Sequence, residues 1–177
     1  MTKATSLEFC HSVLGEGIRC LFTLPDAKHY QLHTDAEMVS KATELDAMPG
    51  IKSVYFACAT YAEPQVIGPD GKPKFRIQSN VCELKCLWLD IDCGPDKAAK
   101  GSGYATQVDT AQALRSFVKD NGLPTPWVVN SGNGLHVYWV FPAAVDRATW
   151  EPTAARLAAL CKAAEFRADP SRTKDAA

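Results

Sequence analysis

The apolar and polar positions of this chain divide it into short elements, beginning with a small α/β pattern. Residues 5–15 read as a short helix, with Glu8 three positions after Thr5 as a capping box and Ser6 competing as the cap. Residues 17–24 form a strand candidate ended by Pro25, and residues 29–33 a second, weakly alternating one. Asp35 is placed to cap a helix through Asp46, which Pro49 and Gly50 end, and residues 53–60 read as a buried strand. Residues 62–79 are loop-like, with a hairpin-type turn at Asp70-Gly71 and a small basic cluster of Lys72, Lys74 and Arg76 around Phe75. That cluster reads as a solvated loop, or as a contact for a nucleic-acid backbone.

The second half is more regular. A strand over 85–92 is followed by a Gly/Lys-rich loop over 93–104. A helix over 106–121 places Val108, Ala111, Leu114, Phe117 and Val118 on one face and ends at Asn121-Gly122. Strands over 127–130 and 135–141 flank the turn 131–134, and Pro142 is expected to end the second of them. A helix over 146–164 and a last strand over 165–168 complete the order β-α-β-β-α-β. The expected fold class is therefore mixed α/β (α+β). An RNA-recognition-motif-like half, about 81–177, follows a small α/β part, about 1–80.

In that pattern the sheet is antiparallel with strand order 4-1-3-2, so the end of the first strand meets the starts of the third and fourth. A strand has a side-chain period of two. Leu87, Leu89 and Ile91 then leave one face of the first strand, and Trp88, Asp90 and Asp92 the other. In the third strand Leu135, Val137, Trp139 and Phe141 meet the helices, while His136 and Tyr138 face the acids' side. Asp169, near the start of the fourth strand, comes to the same edge. Trp88 and Tyr138 are candidates for base stacking on that face, whereas Trp139 and Trp127 read as packing.

Composition changes this picture little. Of 177 residues 46% are apolar and 22% charged, ordinary for a globular protein, and the formal net charge of −1 excludes a polycation. A nucleic-acid partner must therefore be met by a local patch. Seven scattered cysteines and no secretory signal pattern fit a reducing, cytoplasmic compartment. Cys82, Cys86 and Cys93 do not match a zinc-knuckle spacing. No apolar run approaches the roughly 20 residues that span a bilayer, so no membrane partner is expected. The closing residues after Asp169 form no evident element, which suggests a C-terminally truncated fragment of a longer protein.

The chemistry lies in the acids. Two carboxylates side by side at the end of a buried strand repel each other and resist desolvation unless a cation lies between them. Asp90, Asp92 and Asp169 offer only oxygen donors, which suits Mg²⁺ or Mn²⁺. Such ions serve in-line phosphoryl displacement. The turn Ser131, Gly132, Asn133, Gly134 offers backbone amides and a hydroxyl to phosphate oxygens. His136, Arg172 and Lys174 add donors and positive charge. Together they describe a nucleoside-triphosphate site suited to nucleotidyl transfer.

These three motifs, Leu87-Trp88-Leu89-Asp90-Ile91-Asp92, Ser131 through His136, and Ala168-Asp169-Pro170-Ser171-Arg172-Thr173, resemble in order and rough spacing those of the archaeo-eukaryotic primase superfamily. The nearest likeness is the primase–polymerase domain of phage and plasmid replication proteins. It covers most of residues 53–174. The resemblance implies a catalytic domain over 1–177 that makes primers from nucleoside triphosphates on a single-stranded DNA template. Asp90, Asp92 and Asp169 would hold the metals, and Ser131 to His136 the incoming nucleotide. A helicase domain in the full-length protein is a further implied partner. The alternative is a non-catalytic single-stranded nucleic-acid-binding module of a replication initiator, for which three acids facing a polyanion are an awkward choice. A metal-dependent glycosyltransferase is a third reading, but the long nucleotide-binding α/β half before its Asp-x-Asp is lacking.

Overall fold

Strand formation follows the predicted runs over most of the chain and departs from them at residues 53–60 and 165–168. The computed structural model describes residues 4–177, with the side chains of Pro170 and Arg172 excepted. The fold is mixed α/β with antiparallel sheets, in two compact units. One unit comprises the chain up to Lys85 with Pro142–Arg147 and Ala176–Ala177; the other comprises Cys86–Phe141 and Ala148–Asp175. No described helix is long and apolar enough to cross a membrane.

In the first unit α1 (Ser6–Val13) begins at a complete capping box, with Thr5 rather than Ser6 as the cap. Strand β1 (Arg19–Leu24) is the centre of a three-stranded antiparallel sheet, between β2 (His29–Leu32) and β3 (Ser53–Phe56). Helix α2 (Asp35–Asp46) is capped by Thr34 with Glu37, not by Asp35. Asp35 instead accepts a 2.9 Å bond from Arg19 Nε, and Arg19 Nη1 donates to the carbonyls of Gly17 and His33. This guanidinium is buried, so its hydrogen bonds offset the desolvation of the charge.

The run 53–60 does not form one strand. It breaks after Phe56, and β4 (Ala59–Tyr61) pairs with the start of β7 (Val81–Asp92). Ile18, Cys20, Ala57 and Tyr61 form a core against which Phe75 packs, its ring 4.8 Å from that of Tyr61. Phe75 is thus a core contact within the basic loop. Around it, β5 (Val66–Ile67) and β6 (Pro73–Lys74) pair across the expected turn, Lys74 pairs with Asp70 at 3.1 Å, and Arg76 donates to the Ala177 carbonyl.

In the second unit β7, β9 (Gly134–Val145) and β8 (Trp127–Asn130) lie side by side in that order. Leu87, Leu89 and Ile91 are buried, whereas Trp88, Asp90 and Asp92 are half-buried, so the parity of β7 is regular to its end. Two further helices follow, α3 (Pro95–Ala99) inside the Gly/Lys-rich loop and α4 (Gln107–Asp120) capped by Thr106. Helix α4 buries Thr110, Leu114 and Phe117; Val108 is 65% exposed and belongs to the solvent face, contrary to the sequence reading. Pro142 does not end β9. β8 pairs only with Leu135 to Tyr138, so Pro142 lies where β9 has no β8 partner and its missing N–H removes no bond to that strand.

Helix α5 (Arg147–Ala163) follows, and then the largest departure. The expected fourth strand over 165–168 is not formed, and the neighbour of β7 on that side is β4. Phe166 is instead a core residue, stacked on Phe117 at 4.3 Å, with its amide donating to the Cys161 carbonyl at the end of α5. Burying that ring holds the segment as a plug rather than a ladder. One backbone bond reaches β7, from the Asp169 amide to the Asp90 carbonyl (2.8 Å), and a short α6 (Pro170–Thr173) closes the unit.

Candidate functional site

The end of β7 is where the sequence candidates meet. Asp90 and Asp92 leave the same face, with side chains 39% and 37% exposed. His136, the third residue of β9, brings Nε2 to 3.5 Å from Asp90 Oδ1. Asn133 accepts a 2.8 Å bond from the Cys93 amide. The contacts run 133 to 93 and 136 to 90, in opposite chain directions, so β7 and β9 are antiparallel here. A side chain at Gly134 would collide with the Ile91 carbonyl, and one at Gly103 with that of Asp92. These two glycines therefore let the 131–134 turn and the 93–104 loop close onto the carboxylates.

Asp169 is brought beside Asp90 by its own backbone. Its Oδ1 accepts from the Ser171 amide and hydroxyl, at 2.9 and 2.7 Å, and its carbonyl accepts from the Thr173 hydroxyl. Lys97, on α3, reaches Asp92 Oδ2 at 2.5 Å. The bond to Asp92 and its charge hold the Lys97 ammonium above the usual lysine range, and the charges of Asp90 and Asp169 act in the same direction. One ammonium thus feels all three carboxylates.

The turn is rigid. Gly132, at φ +87°, donates its amide to Asn130 Oδ1 (2.8 Å). Gln107 Nε2 donates to Asn130 Oδ1 and to the Gly132 carbonyl, while Asn130 Nδ2 donates back to Gln107 Oε1. The Ser131 amide donates to the Gly134 carbonyl. Two of the turn's four amides are therefore engaged within it.

Asp90, Asp92, Asp169, His136 and the Ser131–Gly134 turn thus gather at one strand end. Lys174 instead lines a hollow of about 430 Å³ with Ala155, Ala158 and Lys162 of α5. The Arg172 side chain lies outside the described residues. Of the two stacking candidates, Tyr138 is buried, and Trp88, half-buried, stacks on Trp150 of α5 with centroids 4.9 Å apart. Lys97 and the Gln107–Asn130 clasp escape the sequence reading. They sit in a patternless loop and at a helix start, where only side-chain geometry relates them to the acids. Arg167 likewise ties the approach to Asp169, donating to the Gly103 carbonyl and lying over the Tyr104 ring.

Among the described residues no group of three or more His, Cys, Asp and Glu is disposed to hold a metal ion. The arrangement nevertheless fits a hard divalent cation, because Mg²⁺ typically takes one or two carboxylates and completes its shell with water and substrate phosphates. Asp90 and Asp92 supply two such carboxylates, half-exposed and on one face. Comparison of the chain with protein-family models, curated proteins and solved structures finds no match.

Proposed function

We propose that this chain is a metal-dependent nucleotidyltransferase of the primase–polymerase type, joining nucleoside triphosphates on a single-stranded DNA template and releasing pyrophosphate. The observation that carries the reading is the convergence on Asp90: His136 approaches its carboxylate and the Asp169 amide bonds its carbonyl, so three motifs far apart in sequence share one strand end. Asp90 and Asp92 would hold Mg²⁺ or Mn²⁺, with Asp169 beside them. When bound, the ion would supply positive charge to the attacking 3′-oxygen and to the leaving pyrophosphate. His136 offers a ring nitrogen to the triphosphate. Within the turn, phosphate oxygens would be met by the Ser131 hydroxyl and by Asn133 and Gly134, since the amides of Ser131 and Gly132 are engaged. The burial of Tyr138 and the stacking of Trp88 on Trp150 weigh against a module that only binds single strands by stacking bases.

The test is template-directed synthesis on single-stranded DNA with labelled nucleotides, with and without Mn²⁺. Wild type is expected to make product only with the metal. Asp90→Ala and Asp92→Ala should each lower the rate by at least about 100-fold with the circular-dichroism spectrum unchanged. A wild type that makes no product, or variants that keep their rate, would sink the reading.

A further inference from the structure

We infer that Lys97 is an exchangeable counter-ion: its ammonium neutralises the carboxylates at the end of β7 in the metal-free protein and leaves Asp92 when a divalent cation binds there. The inference rests on the metal reading of Asp90 and Asp92 given above.

Three observations carry it. First, Lys97 Nζ lies 2.5 Å from Asp92 Oδ2, one of the two oxygens of a carboxylate proposed to hold the metal. A hard divalent cation sits roughly 2.0–2.5 Å from its carboxylate oxygen. Ammonium and cation on that oxygen would stand only a few ångströms apart, and like charges that close repel strongly. One of them has to leave.

Second, the ammonium answers to the whole cluster. Asp92 shares its strand face with Asp90, and the Asp169 amide is bonded to the Asp90 carbonyl, so the ammonium on Asp92 stands at the edge of an acidic cluster.

Third, Lys97 is placed to move without disturbing the fold. Its side chain is 46% exposed, on a flexible four-carbon stem. Its backbone is anchored independently: the Ser102 amide donates to the Lys97 carbonyl, and the loop is closed by the Tyr104 amide on the Asp92 carbonyl and the Gly94 amide on that of Tyr104. A rotamer change therefore suffices. A metal that arrives with a triphosphate also brings an anion for the released ammonium, so the exchange favours the metal–nucleotide pair over the bare ion.

The experiment is Mn²⁺ binding to the full chain without nucleotide, read by the paramagnetic resonance of free Mn²⁺. Wild type is compared with Lys97→Met, Lys97→Gln, Lys97→Arg and Asp92→Asn. Removing the charge is expected to tighten binding about tenfold in the Met and Gln variants. Arg, which keeps the charge, should stay within about threefold of wild type, and Asp92→Asn should weaken binding. The Gln variant serves if the Met variant does not fold. Wild-type binding with equal or weaker binding by both neutral variants overturns the exchange and leaves the metal reading standing. No Mn²⁺ binding at millimolar concentration by wild type or neutral variants overturns the metal reading, and the inference falls with it.

Discussion

At the scale of single residues, burial decides most of the chemistry. Cys10, Cys20 and Cys161 are buried, and desolvation pushes each thiol up to about 11. Cys58 and Cys93 are only partly covered. Alkylation of the folded protein near pH 8, followed by mass spectrometry, should therefore modify Cys58 and Cys93 well before Cys10, Cys20 and Cys161. The same shifts bear on stability. The unfolded chain loses these protons near pH 9, while the folded protein holds them to about pH 11. Between those values the unfolded state binds fewer protons, so stability is full below pH 9 and falls as pH rises towards 11. Denaturant midpoints at pH 8 and pH 10 should show the fall, and replacing the three thiols with alanine should reduce it; an unchanged slope would count against this account. Asp90, Asp92 and His136 are legible in the sequence because strand parity assigns a face to every residue. Trp88 shows the limit: parity puts it beside the acids, but Trp150, which stacks on it, comes from a helix more than one element away.

At the scale of elements, two helix ends make the comparison. α4 closes with the Leu123 amide on the Val118 carbonyl and the Gly122 amide on Lys119, with Gly122 at φ +61°. α5 closes identically, Phe166 on Cys161 and Glu165 on Lys162, with Glu165 at φ +50°. The first end is readable because glycine is the usual residue for the left-handed position. The second is not, because glutamate rarely takes it, and by pattern alone the segment resembles the start of a strand. Glu165→Gly should remove about 1 kcal/mol of backbone strain and raise the thermal midpoint by about 2–4 °C. A lower midpoint would mean that the Glu165 side chain supplies an offsetting contact. The break after Phe56 is hidden for a related reason: composition marks residues 53–60 as buried strand, but which of two sheets each part joins depends on partners distant in sequence.

At the scale of the whole molecule, the chain passes into the second unit within β7, leaves it within β9 and returns at Ala148. A sequence divided into consecutive halves does not express that interleaving. Charge also matters at this scale. The net charge is −1, Lys74 of the basic loop is paired to Asp70, and Lys97 at the candidate site is paired to Asp92. Single-stranded DNA without divalent metal or nucleotide is therefore expected to bind weakly, with a dissociation constant on the order of micromolar or above at about 150 mM salt. Fluorescence anisotropy of a labelled oligonucleotide checks this. Nanomolar binding would point to a basic surface that these pairings do not account for.

Local periodicity and chain stiffness let the sequence by itself indicate helices α1, α2, α4 and α5, the β8–β9 turn, and the common face of Asp90 and Asp92. Hydrophobic spacing and turn chemistry act over a few residues, so one dimension carries them. Only the tertiary structure decided which strand lies beside β7, that Phe166 fills the core instead of starting a strand, that Tyr138 is buried and Trp88 stacks on Trp150, and that Lys97 answers the acids. Each of these is a choice among long-range contacts of similar local propensity. They are settled by packing volume and charge pairing across elements, which no pattern along the chain records.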